Sequence, residues 1–318
     1  MTRSSKFKGN LFALTAFVVL VVTSPASASN CSVSGTDLVF GAVNVLPGTA
    51  VPTTATVTIT CGGDLLGATV QICATLGAGS SSDGTSRKMV GPSASTLRFD
   101  AYSNAAYTQV WPTSGGIHTT LNTPLFFGNA STTLTIYGRL FAGQSTALVG
   151  SYSSIFSNTL TVQYNSSVLA STSCPNGGAS VSDTIVATAS VTSTCNVNAT
   201  NMNFGSVGLL SANLDTTSQI SVQCTNGAPY KMQLSYGLGA GAGAGVGRYM
   251  TSGANKILYN LYRDASRSSV WGNSLGVDTV DTTGTGASQL RSVYGRVPPQ
   301  TTPPTGTYFD TITTTISY

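Results

Sequence analysis

Glutamate is absent from these 318 residues, histidine occurs once, and only 8% of positions carry a charge. Helices of soluble proteins clothe their outer faces largely with Glu, Lys, Arg, Leu and Ala. A surface left to Thr, Ser, Asn and Gly suits strands and turns instead. The same scarcity narrows the chemistry. A Ser–His–Asp triad or a metal centre would have to be built on His118, which lies in a stretch that reads as a surface loop, so neither is expected. Asp278 and Asp281 lie in a Thr-rich loop, where solvated carboxylates are expected, and no other acids suggest a glycosidase pair. Cys-x-x-Cys is missing. In the run 237–247 every glycine falls at an odd position, so Gly-x-Gly-x-x-Gly never forms, and no Walker lysine follows. No enzyme and no cofactor are expected. Beyond residue 28 the basic residues are scattered, with Arg87-Lys88 the one adjacent pair, which excludes a nucleic-acid footprint.

What is present begins with an export signal. Arg3, Lys6 and Lys8 precede an apolar run, Leu11 to Val22, and then Ala26-Ser27-Ala28. This is the layout of a secretory signal peptide, and the run falls short of the ~20 residues a membrane span needs. Cleavage is expected after Ala28. It would remove three of the 14 basic residues, leaving 11 against 10 acids, a net charge of about +1. At 41% apolar, the chain can build a core rather than stay disordered.

An internal repeat organises the rest. Cys31-x-Val33 followed by Leu38-x-Phe40-Gly41 returns as Cys195-x-Val197 followed by Met202-x-Phe204-Gly205. Val57-x-Ile59-x-Cys61 returns as Ile220-x-Val222-x-Cys224, Val110-Trp111 as Val270-Trp271, Tyr137-Gly138-Arg139 as Tyr294-Gly295-Arg296, and Gly150-x-Tyr152 as Gly306-x-Tyr308. The offset falls steadily from 164 to 156, as shorter loops in the second copy would produce. Residues 55–61 alternate Thr with Val, Ile and Cys, the mark of a strand with one wet face. Short strands between Gly, Ser, Asn and Pro clusters predict tandem antiparallel β-sandwiches. The expected domains are 29–170 and 183–318, joined by a polar linker, 171–182. Residues 183–194, with Ile185, Ala187, Ala189 and Val191 on one face, read as the first strand of the second domain. Trp111 and Trp271 recur at equivalent positions, which favours packing over carbohydrate binding.

Six cysteines in an exported chain should pair. The second copy holds only Cys195 and Cys224, so these join. The repeat then assigns Cys31 to Cys61, leaving Cys73 for Cys174.

The Cys-x-Val…Phe-Gly opening, Thr225-Asn226-Gly227-Ala228-Pro229-Tyr230, Arg248-Tyr249-Met250, Leu258-Tyr259-Asn260-Leu261-Tyr262, Trp271-Gly272 and Gly306-x-Tyr308-x-Asp310 resemble the spore coat U domain. The resemblance spans residues 195–318 and, more loosely, 31–165. It implies a subunit of an archaic, Csu-type chaperone–usher pilus, in which an immunoglobulin-like domain lacks one strand. A periplasmic chaperone, and then the N-terminal segment of an adjacent pilin subunit, would supply that strand after passage to an outer-membrane usher. Cleavage after Ala28 would leave only Ser29 and Asn30 ahead of Cys31. Such a chain accepts a strand but has none to donate, which predicts a position at the fibre tip on the cell surface. Two-domain members of such systems are tip adhesins, so attachment to an abiotic or host surface, and biofilm formation, is the implied role.

Adhesion is expected where the first copy departs from the second. Its distinctive apolar loop residues are Leu46, Val51, Leu125, Phe126, Phe127, Phe141, Leu148 and Val149. Apolar groups on loops are either buried lids or contact surfaces. The competing functional readings are a secreted coat or matrix protein that does not polymerise, and a β-sandwich glycosidase.

Overall fold

A computed structural model describes residues 1–2, 30–63, 65, 67–167, 173–174 and 177–318. The expected leader, 1–28, lies almost wholly outside the described residues, as does part of the expected linker. The described residues contain strands and one short 3-10 turn, with no α-helix.

Ten strands form the N-terminal unit: β1 (Cys31–Gly35), β2 (Leu38–Val43), β3 (Val51–Gly62), β4 (Ala68–Leu76), β5 (Arg87–Val90), β6 (Thr96–Tyr102), β7 (Ile117–Thr123), β8 (Asn129–Leu140), β9 (Gly150–Ser167) and β10 (Ala179–Val191). One limb runs β1-β3-β8-β6-β5, the other β7-β4-β9-β10-β2, and a single β5–β9 pair, Val90↔Ser153, joins them. β3 shows why these segments are strands. Val57, Ile59 and Cys61 alternate inward with no exposure while threonines face water. Both limbs contribute to one core, including Leu38, Phe99, Trp111, Phe156 and Ile185.

The C-terminal unit repeats this plan with β11 (Cys195–Ala199), β12 (Leu214–Cys224), β13 (Pro229–Leu234), β14 (Arg248–Ser252), β15 (Asn255–Tyr262), β16 (Val280–Thr283), β17 (Gln289–Val297) and β18 (Thr314–Ser317). The limb β11-β12-β17-β15-β14 copies β1-β3-β8-β6-β5, and β16-β13-β18 copies β7-β4-β9. Among the described residues no strand answers to β10 or β2. A separate core forms around Trp271, Tyr230, Met232 and Val293.

One expectation from the sequence needs correction. Residues 183–194 do not open the second sandwich. Ala179–Val191 lies in the first, antiparallel to β9 and parallel to β2, with Ile185, Ala187, Ala189 and Val191 in its core. Alternation shows that a segment is a strand, but not which sheet receives it.

Disulfides join Cys31–Cys61, Cys73–Cys174 and Cys195–Cys224. The first and third link directly opposed residues of β1–β3 and β11–β12. The second closes a 101-residue separation and ties the chain just ahead of β10 to β4. On loop-entropy grounds it contributes about 4–5 kcal/mol.

Candidate functional site

The repeat makes one side of the C-terminal unit conspicuous. In the N-terminal unit Leu38 and Phe40 lie under Gly138, where an added Cβ would come within 2.9 Å of Leu38 and 3.2 Å of Phe40. Met202 and Phe204 lie under Gly295 in the same way, at 2.3 and 2.9 Å. Yet Leu38–Val43 is a strand that buries Leu38, Phe40 and Val43, whereas Met202–Val207 has no strand partner among the described residues and its apolar residues are half-buried or exposed. Met250, Ile312 and Ile316 are likewise half-buried, while their counterparts Met89, Phe156 and Val162 are fully covered. The missing cover is the counterpart of β10. What remains is an open groove of two adjoining clefts, about 440 and 450 Å3, lined by Met202, Phe204, Met250, Tyr308 and Ile312 among others.

Each unit also buries an arginine at the same place. Arg87 donates to the carbonyls of Gly77, Leu76 and Trp111 and pairs with Asp100. Arg248 donates to the carbonyls of Ser235, Leu234 and Trp271. In place of Asp100 it meets Asn260, at 3.4 Å, and the Tyr236 ring, at 4.9 Å. Burial pushes its guanidinium pKa down, against nearby Tyr259, Tyr236, Asp310 and Asp278. Facing the groove, Asp310 accepts hydrogen bonds from the Tyr259 hydroxyl and the Leu238 N–H, both at 2.8 Å. Burial, then Asp310, pushes the Tyr259 phenol far up. The recurring Arg-x-Met at 87–89 and 248–250 is a signal for this buried pair of arginines.

A second feature stands at the far end of the N-terminal unit. Leu65, Leu125, Phe126 and Phe127 are 53, 57, 76 and 67% exposed. Gly63 and Leu65 are tied to the turn 124–128 by Gly63 N–H to Gly128 O (2.8 Å) and Phe126 N–H to Leu65 O (3.2 Å). Gly63 permits this approach, since a Cβ there would stand 2.6 Å from Pro124 O. Phe126 and Phe127 both adopt φ of +60°, a conformation bulky residues avoid and one found disproportionately at functional sites. β8 starts beside this knob, and its 12 residues run about 40 Å to the other end of the N-terminal unit.

Five other loop residues expected to mark adhesion lie at the opposite end. Val149 N–H donates to Asn226 O at 2.9 Å, Leu148 bridges Asn226, and an added Cβ on Gly227 would meet Leu148. Val51 pairs with Leu140, and Phe141 lies under Arg98. Leu46 is half-buried and hydrogen-bonds Asn44, whose side chain takes the Thr194 hydroxyl. All five are half-buried; Leu148 and Val149 meet the C-terminal unit, whereas Val51 and Phe141 make their contacts within the N-terminal one. Leu65, absent from the sequence expectation, joins Leu125, Phe126 and Phe127 instead.

His118 lies on β7 opposite Cys73 rather than in a loop, and its Nε2 is buried without a hydrogen-bond partner. Asp278 accepts the Tyr236 hydroxyl and Asp281 pairs with Lys231, so neither is merely solvated. No cluster of three potential metal ligands occurs among the described residues. Both tryptophans are core residues.

The spore coat protein U domain matches the chain twice, over residues 16–162 and 181–315. The chain belongs to that family. Protein U of Myxococcus xanthus is 33% identical over 114 residues, 34% of this chain and 63% of that protein. The chain thus spans less than two thirds of this relative's length. Among solved structures, a chain of the CsuC–CsuE chaperone–tip adhesion subunit pre-assembly complex from archaic chaperone–usher Csu pili of Acinetobacter baumannii superposes with a TM-score of 0.54 at 18% identity, covering 91% of this chain and 100% of that one. The likeness is one of fold. The CupB6 tip adhesin from Pseudomonas aeruginosa is more distant, with a TM-score of 0.38 at 13% identity, covering 91% of this chain and 94% of that one. For a spore coat U family member, the pairing of one complete and one open sandwich is the feature from which a function must be argued.

Proposed function

We propose that this spore coat U family protein is a pilus subunit of the tip-adhesin kind. Its C-terminal unit accepts a missing strand, and its N-terminal unit grips a surface with the apolar knob. The open groove carries the reading. A half-exposed apolar trough beside unpaired strand edges is costly in water and is relieved by an added strand. During export the strand would come from a periplasmic chaperone, and in the fibre, beyond the outer-membrane usher, from the adjacent pilin subunit. The fold likeness to a chaperone–tip adhesion subunit complex supports this partnership. At the other end, Leu65, Leu125, Phe126 and Phe127 project apolar area that gains ~25 cal/mol per Å2 on contact with an apolar surface, and many tips on one cell multiply a weak contact. The protein would then act outside the cytoplasm, at the cell surface.

Two measurements test this. Expressed in the periplasm, the chain is expected to accumulate in soluble form only with its chaperone. Soluble monomer at equal yield without a chaperone would contradict the acceptor role and favour a free-standing coat protein. Changing Leu125 and Phe126 to Ser is expected to leave folding and assembly intact while lowering attachment to plastic at least several-fold. Undiminished attachment would return the knob to a passive role.

A further inference from the structure

The open groove has a filled twin in the same chain, and the two differ at positions a strand would touch. The argument rests on reading the groove as a strand acceptor. In the N-terminal unit, β10 places Ile185 over Gly35, where an added Cβ would come within 2.5 Å of the Ile185 Cγ2 methyl. In the C-terminal unit that position is Ala199, because β1 pairs with β3 as β11 pairs with β12, Gly35 opposite Val57 and Ala199 opposite Ile220. The Ala199 methyl thus fills the space that the branch of Ile185 uses. A methyl on a β-branched side chain sits close to the backbone with few rotamers and cannot swing aside.

The second difference lies two residues further along. Ala187 pairs with Ser154, a buried residue whose hydroxyl accepts the Ser80 N–H. Asp310 occupies the place of Ser154. A Cβ on Gly79 would strike the Ser154 hydroxyl, and one on Gly237 would strike the Asp310 carboxylate. Paired residues on adjacent strands bring their side chains within about 5 Å, so a strand in the groove would set one side chain directly against Asp310. It would also bury the carboxylate, which then favours every additional donor it can reach. Alanine offers none.

We infer that the C-terminal groove selects a donor strand with a residue unbranched at Cβ facing Ala199 and Ile312 and, two residues later, a small hydroxyl residue facing Asp310. The groove therefore refuses the β10 segment, whether of the same chain or of a second copy. Copies of this protein are kept from linking through β10, and the donor is a different polypeptide. Specificity here comes from exclusion as much as from fit.

The test uses the full chain and synthetic peptides spanning residues 179–191: the parent, Ile185→Leu, Ala187→Ser, and both together. Binding is read by titration and by protection of Met202 and Met250 from peroxide. The doubly changed peptide is expected to bind at least tenfold more tightly than the parent. In the chain, Ala199→Gly should raise affinity for the parent peptide about tenfold and erase the advantage of Ile185→Leu. Equal binding of all four peptides, or indifference to Ala199→Gly, would overturn the selection while leaving the strand-acceptor reading standing. Failure of the doubly changed peptide to bind would also overturn the selection, and the chaperone experiment then decides the acceptor reading separately.

Discussion

Leu38-Val39-Phe40-Gly41 and Met202-Asn203-Phe204-Gly205 begin alike, lie under equivalent glycines and follow equivalent disulfide-anchored strands. One is a strand, the other is not. The difference is the neighbour. β10 pairs with Leu38–Val43 and covers Phe156 and Val162, while among the described residues Met202–Val207 has no such partner and Ile312 and Ile316 stay half-open. An edge segment becomes a strand when something pairs with it, so one motif yields two local structures in one molecule. The N-terminal unit carries its completing strand in its own chain, clamped by Cys73–Cys174. The C-terminal unit has neither that strand nor a matching disulfide among the described residues.

The most severe way to break the contrast is to spoil β10. Ala187 is fully buried, and Ala187→Asp would place an unpaired carboxylate in the core, at a cost of about 4 kcal/mol or more. Each unit owns one tryptophan, so urea unfolding with Trp271→Phe reports the N-terminal unit through Trp111. Its transition should collapse, while Trp111→Phe chains should show the C-terminal transition unmoved. Replacing Cys73 and Cys174 by Ser should cost the N-terminal unit about 2–5 kcal/mol, read in the same way, again without moving the other transition. Leu38→Ala should cost about 2–5 kcal/mol as a buried truncation. The equivalent Met202→Ala, in the open groove, should cost about 1 kcal/mol. Equal losses would mean that the two sites are equally covered.

Acid provides the mildest test and acts on both units, since hydrogen bonds from Thr85 and Ser86 hold the Asp83 pKa down in the N-terminal one. Hydrogen bonds from Arg296 hold the Asp215 pKa down, with Arg267 adding to the effect. Hydrogen bonds from Ser266 and from the Ser268 and Ser269 backbone do the same for Asp264. A carboxylate with a depressed folded pKa stabilises fully above its unfolded value near ~4, and that stability is lost as pH falls through the folded pKa. The C-terminal transition should therefore weaken on acidification below about pH 4 and be flat from pH 5 to 8. Asp215→Asn should reduce that slope.

Much of this architecture can be read in the residues. The ordered repeat exposes two copies, threonine alternation exposes strands, and counting cysteines leads to the pairs the structure contains. What alternation cannot convey is destination. The stripe Ile185, Ala187, Ala189, Val191 fits either sandwich, and only tertiary pairing decides. Comparing loops between copies singles out residues of two kinds, the exposed Leu125, Phe126 and Phe127 at one end and Leu46, Val51, Phe141, Leu148 and Val149 half-buried at the other, because residues at a contact differ between copies just as residues at a free end do. Leu65 escaped notice in the short glycine-flanked stretch Gly63-Asp64-Leu65-Leu66-Gly67, which shows no strand alternation. Arg87 and Arg248 were visible as a recurring Arg-x-Met, yet burial of an arginine among carbonyls runs against composition-based expectation.

The central claim is that one sandwich is filled and the other open. Amide hydrogen exchange on the full chain, released from its co-expressed chaperone just before labelling and followed by mass spectrometry, tests it most directly. Segments 38–43 and 150–162 should exchange slowly, at rates set by unfolding of their unit. Segments 202–207 and 306–313 should exchange within seconds to minutes. Comparable slow exchange in both pairs of segments would contradict the account.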